Sequence, residues 1–420
     1  MTSTPAQPSQ APSHDPAAGL DGDLADGVAD GLADDERTWD VLVVGAGPAG
    51  ASAALAAAEA GRTVLLVEKA ALPRYKTCGG GIIGPSAGAL PDGFRLPAKE
   101  HVRAVAFTMR GRWRRTRRAR SGQTMFSLVN RPEFDAGLVD AARAAGAVVR
   151  EGATVQRIDQ DTRSVVLTLA DGGTLRARAL VGADGSAGRT SAYVGVTFEQ
   201  VDLGLESEIP VPPEVADHWR GTVLIDWGPI PGSYAWVFPK DDVLTVGVIC
   251  ARGNGEATRA YLRDFIASQA LSGFPPSVTS GHLTRCRTDE SPLSRGRVVV
   301  AGDAAGLLEP WTREGISFAL RSGRAAGEAA ALVAAAHDDA DVKEATESYR
   351  TRIDTTLGRE MRAGRLMLAA FTRRPAVFHG AVTTIPKAWT AFQAIVQGRK
   401  TLAAYVERTP VKKTLARLAR

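Results

Sequence analysis

Two motifs that combine glycines with an acid, far apart in the chain, carry its clearest chemistry. The first runs Asp40-Val-Leu-Val-Val-Gly45-Ala-Gly47-Pro48-Ala49-Gly50, crosses an alanine-rich stretch and closes on Thr63-Val-Leu-Leu-Val-Glu68. It reads as a strand, a glycine turn, a helix and a second strand ending in an acid. That order seats the pyrophosphate of a dinucleotide on a helix N-terminus and gives the ribose hydroxyls to Glu68. The second motif is Arg297-Val-Val-Val-Ala-Gly302-Asp303-Ala-Ala-Gly306, followed by Glu314-Gly315-Ile316. It sets a carboxylate at the end of another apolar strand, directly before a helix. An aspartate there holds a ribityl chain, which a flavin has and a nicotinamide nucleotide lacks, so the pair points to FAD rather than NAD.

Three further groups lie between or beside these motifs. Lys76-Thr-Cys78-Gly79-Gly80-Gly81-Ile82 follows the Glu68 strand. Its glycines suit a close backbone approach to a flavin ring, or merely a loop with positive φ. Cys78 is either a small buried hydrophobe or a thiol facing the flavin or substrate. Tyr234, Trp236 and Phe238 alternate along a strand, so all three face one side and Ala235 and Val237 the other. Such a stripe is either core packing or an apolar wall. Asp184-Gly185 ends the short apolar run Ala179-Leu-Val-Gly-Ala, as a plain turn or as part of the flavin side. Seven arginines crowd Arg110 to Arg120 around Trp113; they read as a solvated strand face, with diphosphate binding as the alternative.

The elements that position these residues follow from periodicity and turn chemistry. Residues 1–38 have few large apolar side chains and carry eight acids against Arg37, so a disordered tail is expected there. A discontinuous Rossmann-type FAD-binding domain is expected over 39–195 and 285–340. Within it, Ser127 to Gly146 reads as a helix from the spacing of Leu138, Ala142 and Ala145, 148–178 alternates as short strands, and Asp171-Gly172-Gly173 makes a hairpin turn. Residues 196–284 are rich in β-branched and aromatic types and predict an inserted sheet for substrate, to which 85–130 contributes in part. Residues 341–420 read as a helical, basic C-terminal region. The fold class is therefore α/β with an inserted β-sheet domain.

With those motifs in view, Gly45-Ala-Gly47-Pro-Ala-Gly50…Glu68-Lys69, Arg131-x-x-Phe134-Asp135, Gly182-Ala-Asp184-Gly185 and Gly302-Asp303-Ala together resemble flavoproteins of the p-hydroxybenzoate hydroxylase fold. The cysteine–glycine loop and Tyr234-Ala-Trp236-Val-Phe238-Pro239 are similar to the geranylgeranyl reductase family, which saturates isoprenoid double bonds. The resemblance implies cofactor contacts from Gly45, Gly47, Pro48, Ala49, Gly50, Glu68, Lys69, Cys78, Gly79, Gly80, Arg131, Val155, Asp184, Gly302, Asp303, Gly315 and Ile316. It implies catalytic roles for Cys78, Tyr234 and Trp236, an isoprenoid or lipid substrate, and NADPH or ferredoxin as electron donor. One position departs from the family: the pattern Pro-x-Thr-Gly-Glu-Gly-Ile reads Pro310-Trp-Thr-Arg313-Glu-Gly-Ile here. Arg313 is expected to face the flavin, a substrate phosphate or solvent. The alternative function is a monooxygenase or halogenase on the same fold, because the stripe partly echoes the halogenase Trp-x-Trp-x-Ile-Pro motif. A non-redox protein holding FAD structurally is a third reading.

Composition narrows the rest. Three cysteines suit a reducing cytoplasm rather than a disulfide framework. No metal-ligand spacing, signal peptide, membrane-spanning run or nucleic-acid motif is present. Residues 350–420 carry fifteen Lys or Arg against three acids. With Leu357, Met361, Leu366, Met367, Phe371, Phe378, Trp389, Phe392 and Tyr405 between those charges, this region is expected to dock peripherally on an anionic membrane or simply to pack on the FAD domain. A redox partner is a further expected contact.

Overall fold

The run Val41–Val44 is apolar at every position, and such a strand belongs where both faces are covered. In a computed structural model, which describes residues 37–420 apart from Asn254, strand Thr38–Val44 is the centre of an eight-stranded sheet. It pairs in parallel with Val64–Val67 on one side and Thr174–Gly182 on the other. Val148–Arg150 and Val298–Val300 extend the parallel part outward. The hairpin Val165–Leu169 to Thr174–Gly182, turning at Asp171–Gly173, adds antiparallel strands. Helices Pro48–Glu59, Arg131–Ala144 and Ile316–Ala335 cover the sheet and bury the Val and Leu side chains of its central strands. The expected acidic tail lies, for residues 1–36, outside the described residues; Thr38 already belongs to the first strand.

A second, seven-stranded sheet runs in the order Val278–Arg287, Phe198–Pro210, Val243–Ala251, Tyr234–Lys240, Thr222–Trp227, Ala104–Met109 and Arg112–Arg118. All its pairs are antiparallel except Thr222–Trp227 with Ala104–Met109. A small sheet of Gly81–Ile82, Phe126–Val129 and Ala98–Val102 bridges the two. Helices from Asp339–Thr355 to Thr409–Leu418 make up the C-terminal region. Their apolar faces turn inward: Leu357, Met361, Phe371 and Trp389 are buried in core clusters, and Leu366, Met367, Phe378 and Phe392 pack against them. The aromatic and aliphatic residues between the C-terminal charges are thus largely core.

The segment 309–317 joins the two sheets, and Arg313 is its anchor. Its backbone sits at φ +57°, a left-handed conformation that favours the glycine of the family pattern. The guanidinium is buried and fully engaged: Nε and Nη2 donate to Asp202 at 3.2 and 3.3 Å, and Nη1 donates to the carbonyls of Gly232 and Trp311 at 3.1 and 2.7 Å. It is buried, against the expectation that it points to solvent. The buried pair offsets the backbone strain. Next to it, Glu314 Oε1 accepts the Ser317 N–H at 2.7 Å and the Ser86 hydroxyl at 3.3 Å at the start of Ile316–Ala335. Burial pushes this carboxyl up to about 7.

Removing one partner of a buried ion pair leaves the other charge stranded, so Arg313→Ala is expected to cost about 3 kcal/mol in denaturant unfolding. Arg313→Gly combined with Asp202→Asn should lose less than the sum of the two single changes, because the glycine relieves the strain and no charge is left alone. Additive losses would show that the pair is not the anchor. Glu314 gives a pH signature of known sign. Its folded value near 7 lies above the ordinary 4.5, so the fold favours the protonated form and stability falls as pH rises through that interval. The loss amounts to at most roughly 3 kcal/mol. Unfolding curves at pH 5 to 8 should therefore flatten in Glu314→Gln; an unchanged slope would refute the assignment.

Candidate active site

The nucleotide end is built at the first glycine turn. Gly50 lies so close beneath the turn that a Cβ on it would stand 1.7 Å from the Gly45 carbonyl oxygen. Helix Pro48–Glu59 has no side-chain cap at its start, which leaves first-turn N–H groups available to a phosphate. Arg74 adds positive charge there: its Nη2 would lie 3.6 Å from a Cβ on Gly47, an otherwise open position. Glu68, buried at the end of Val64–Val67, accepts the N–H groups of Ala46 at 2.8 Å and Ala70 at 3.2 Å. A ladder of alternating charge leads inward from it, through Arg74 at 3.4 Å and Asp135 at 3.5 Å to Arg131, which holds Asp135 by two bonds of 2.8 and 2.9 Å. Val155 is buried at the start of Val155–Gln160, just beyond the Ala153 N–H that donates to the Glu68 carbonyl at 2.9 Å. Lys69 is exposed past the strand end.

The second motif meets this end from the neighbouring strand. Asp303 stands in the tight turn Gly302–Ala305, 3.6 Å from His282 Nε2. Burial alone would raise its carboxyl, but His282 together with the charges of Lys76 and Arg131 outweighs that and holds it below the usual range. Burial lowers the Lys76 ammonium, against the pull of Asp303. Gly315 is adjacent, a Cβ there lying 3.7 Å from Asp303 Oδ1, and Ile316 opens the following helix. A carboxylate kept charged among cations, beside a glycine-lined turn, is a fit environment for a polyhydroxy chain. The two ends together fit FAD.

Between them, the cysteine–glycine loop presses against the second sheet. A Cβ on Gly79 would come within 2.8 Å of the Phe238 ring and 3.4 Å of Trp236 Nε1. Tyr234, Trp236 and Phe238 do form one stripe, with ring centroids 6.0 and 6.2 Å apart. Trp236 lies flat over its cross-strand neighbour Gly247, where a Cβ would stand 2.1 Å from the indole. On the other side of Gly247, in register, is Glu206. Its Oε1 accepts the Cys78 N–H at 2.7 Å and the Tyr75 hydroxyl at 2.9 Å. The loop backbone is thus tied to the sheet by a buried carboxyl. Cys78 Sγ itself accepts the Gly80 N–H at 3.4 Å.

Two expected site residues have other work. The Asp184 carboxylate accepts the N–H groups of Arg189 and Thr190 at 2.7 and 3.1 Å and the Thr190 hydroxyl, capping helix Arg189–Val194. Its backbone packs against Gly45 at the first glycine turn. The Tyr234 hydroxyl donates to the Thr312 carbonyl, and burial pushes its phenol well up. Tyr234 therefore fixes the 309–317 segment and is no free acid. The sequence did not mark Arg74, Tyr75, Glu206 or His282. Glu206 shares its strand face with Gln200, Asp202 and Glu208, so nothing in the alternation of Phe198–Pro210 singles it out.

Residues 38–219 match the FAD binding domain family. A digeranylgeranylglycerophospholipid reductase of Methanoculleus marisnigri is 31% identical over 332 residues, covering 75% of this chain and 81% of its own. A menaquinone reductase of Mycobacterium tuberculosis is 30% identical over 310 residues, covering 69% and 76%. Among solved structures, a geranylgeranyl bacteriochlorophyll reductase-like protein of Thermoplasma acidophilum shares the fold with a TM-score of 0.71 at 21% identity, over 91% of this chain and 99% of that one. A glycine-turn FAD cradle, a cysteine–glycine loop beneath an aromatic stripe and these similarities together place the chain in the geranylgeranyl reductase-like family of FAD-dependent oxidoreductases.

Proposed function

We propose that the protein saturates carbon–carbon double bonds of an isoprenoid chain carried by a diphosphate, lipid or quinone. The observation that carries this reading is the crowding of Gly79 beneath Trp236 and Phe238. It sets an apolar, largely buried wall directly against the loop that borders the FAD cradle. Bound FAD, once reduced, supplies the hydride. The chain's residues do the rest: the stripe lines up an apolar alkene, the loop packed against it helps keep water away from the reacting centre, and the ladder from Glu68 to Arg131 fixes the loop in place. A cavity of about 480 Å³ starts beside the glycine loop at Ile82 and is lined by Leu96, Met125 and Phe126 with Arg399 near its edge. Gln123, Thr124, Ser127 and Gln397 also line it, and apolar and polar walls with a single cation suit a prenyl chain bearing an anionic head. NADPH or a ferredoxin-type carrier docks transiently to supply the electrons.

The substrate's partition into bilayers makes a docking surface useful, and the exposed apolar residues suggest where it lies. Trp113 is 63% exposed at the tip of the arginine hairpin, and Val377 and Ile385 are 49% and 50% exposed nearby on the C-terminal helices. His379 links the two parts through a 3.0 Å contact to the Trp113 carbonyl. Arg112, Arg115, Arg373, Arg374 and Lys387, neighbours of these residues along the chain, are exposed as well. An aromatic and two aliphatics with cations beside them match an anionic leaflet, each cation contributing about 1 kcal/mol. No described helix is long and apolar enough to cross a membrane.

Anaerobic incubation of the dithionite-reduced holoprotein with geranylgeranyl diphosphate and with a menaquinone should yield products heavier by two hydrogens per bond reduced. Oxygen- or halide-dependent addition with no such reduction would replace this reading by the oxygenase one. Glu68→Ala and Asp303→Ala should each weaken FAD binding by roughly 1.5–3 kcal/mol, tenfold or more in Kd, whereas Trp236→Ala should lower turnover with FAD retained. Equal loss of folding and turnover in Trp236→Ala would reduce the stripe to core packing. For the surface, co-sedimentation with phosphatidylglycerol vesicles should weaken in high salt and in Trp113→Ser/Ile385→Ser. Absence of binding at low salt would eliminate the docking face.

A further inference from the structure

Saturating an alkene takes a hydride and a proton, and the reading above leaves the proton without a source. Cys78 is one group beside the loop that carries an acidic hydrogen; a second is Glu206. It stands on strand Phe198–Pro210 and is 1% exposed. One of its oxygens is engaged, as described, by Cys78 N–H and Tyr75 O–H. The other, Oε2, is buried and has no hydrogen-bond partner among the described residues. In the same cluster Trp236 Nε1, facing Gly79, is buried and also unpartnered. Two unmatched polar atoms flanking one loop are costly in a folded chain unless they serve a bound group or a transferred proton.

The route outward is equally defined. Tyr75 is 43% exposed, and its hydroxyl also contacts Ser280 Oγ at 3.0 Å, which accepts from the Thr77 hydroxyl at 2.9 Å. The line from surface to interior is therefore Ser280 and Tyr75, then Glu206, then the loop at Cys78–Gly79. The charged groups facing Glu206 are Lys240, which is buried with its Nζ 3.8 Å from Glu208, and Glu208 itself. Burial raises the Glu206 carboxyl, more than Lys240 and the two donors lower it. Burial likewise keeps the Tyr75 phenol protonated. Burial thus favours the protonated form of both groups, the form a relay starts from.

We propose that Glu206 is the internal acid of the reaction and that Tyr75 restores its proton from solvent. The inference rests on the reductase reading. One alkene carbon takes the hydride from reduced FAD, which is oxidised by two electrons in the step. The other carbon takes the Glu206 proton, with the O–H bond breaking as the C–H bond forms. The carboxylate left behind accepts the Tyr75 hydroxyl proton while that hydroxyl takes one from water, so the chain returns to its starting charge.

Single-turnover reduction of geranylgeranyl diphosphate by the dithionite-reduced holoprotein, in H₂O and D₂O, tests this. Glu206→Gln keeps an acceptor oxygen for Cys78 N–H and Tyr75 O–H, so a purely structural tie survives it while the proton is lost. It should retain FAD and its thermal midpoint, slow the turnover by about 10²-fold or more, and lose the solvent isotope effect that the wild type shows. Tyr75→Phe, at a half-exposed position, should slow it less and flatten its pH profile. Wild-type rates and isotope effects in both variants would overturn the relay; if Glu206→Gln does not hold FAD, Tyr75→Phe decides alone. A wild type that reduces no prenyl substrate would instead overturn the reductase reading. In that case the infrared difference spectrum on reducing the flavin still tests Glu206: a protonated-carboxyl stretch that shifts in D₂O and is missing in Glu206→Gln supports a coupled acid, and its absence from the wild type rejects one.

Discussion

The contact of the cysteine–glycine loop with the Trp236–Phe238 stripe is the constraint on which the rest of the architecture depends. At Gly79 and Gly247 a Cβ would overlap the aromatic rings, so backbone and indole approach as closely as chain chemistry allows. Interiors packed at that density do not deform gradually. The two sheets must be brought to one separation and held there, and each other device can be read as serving that. Glu206 ties the loop to Phe198–Pro210; Arg313 and Asp202 tie the 309–317 segment to the same strand; the Tyr234 hydroxyl closes onto Thr312. Three ties converge on one cleft from two directions.

Those ties are polar and buried, a costly choice. Apolar packing of similar volume would often be as stable. What ion pairs and directed hydrogen bonds add is a fixed distance and orientation, and a cleft that must align an alkene with a cofactor gains more from that than from further stability. Arg313 illustrates the trade. The backbone there is left-handed, which glycine tolerates freely, and the arginine accepts the strain in return for four donor contacts that bridge two sheets. A position that the family fills for backbone freedom is here filled for cross-linking.

The parts of this arrangement that were legible in the sequence are those that repeat locally. Glycine turns, an apolar strand ending in Glu68, the Asp303 turn and the period-two aromatic stripe all announce themselves within a few residues, because the backbone conformation they need restricts residue type on the spot. The parts that were not legible are pairings between distant strands. Nothing near Asp202 predicts Arg313, and nothing near Glu206 predicts Cys78, since register between Phe198–Pro210 and its neighbours is fixed only when the sheet assembles. The same blindness hid the role of the Asp184 carboxylate in capping a short helix five residues on, and left open which side the C-terminal aromatics face. Spacing shows that Phe371 and Trp389 lie between charges; it does not show that the core, not the solvent, is on their side.

The chemistry itself explains why the cleft should be dry on one wall and wet at one corner. Hydride transfer to an alkene is favoured where water is excluded, whereas the compensating proton has to come from water in the end. A single uniform pocket cannot satisfy both. Here the stripe and the glycine loop form the dry wall, and Tyr75 and Ser280 form a polar corner open to solvent. Glu206 sits on the boundary, its two oxygens divided between them: Oε1 toward Tyr75 and the loop backbone, Oε2 inward and unpartnered. A carboxyl is the smallest group that can take a proton on one oxygen and release it from the other, so the boundary requires little more than that one side chain to admit a proton without admitting water.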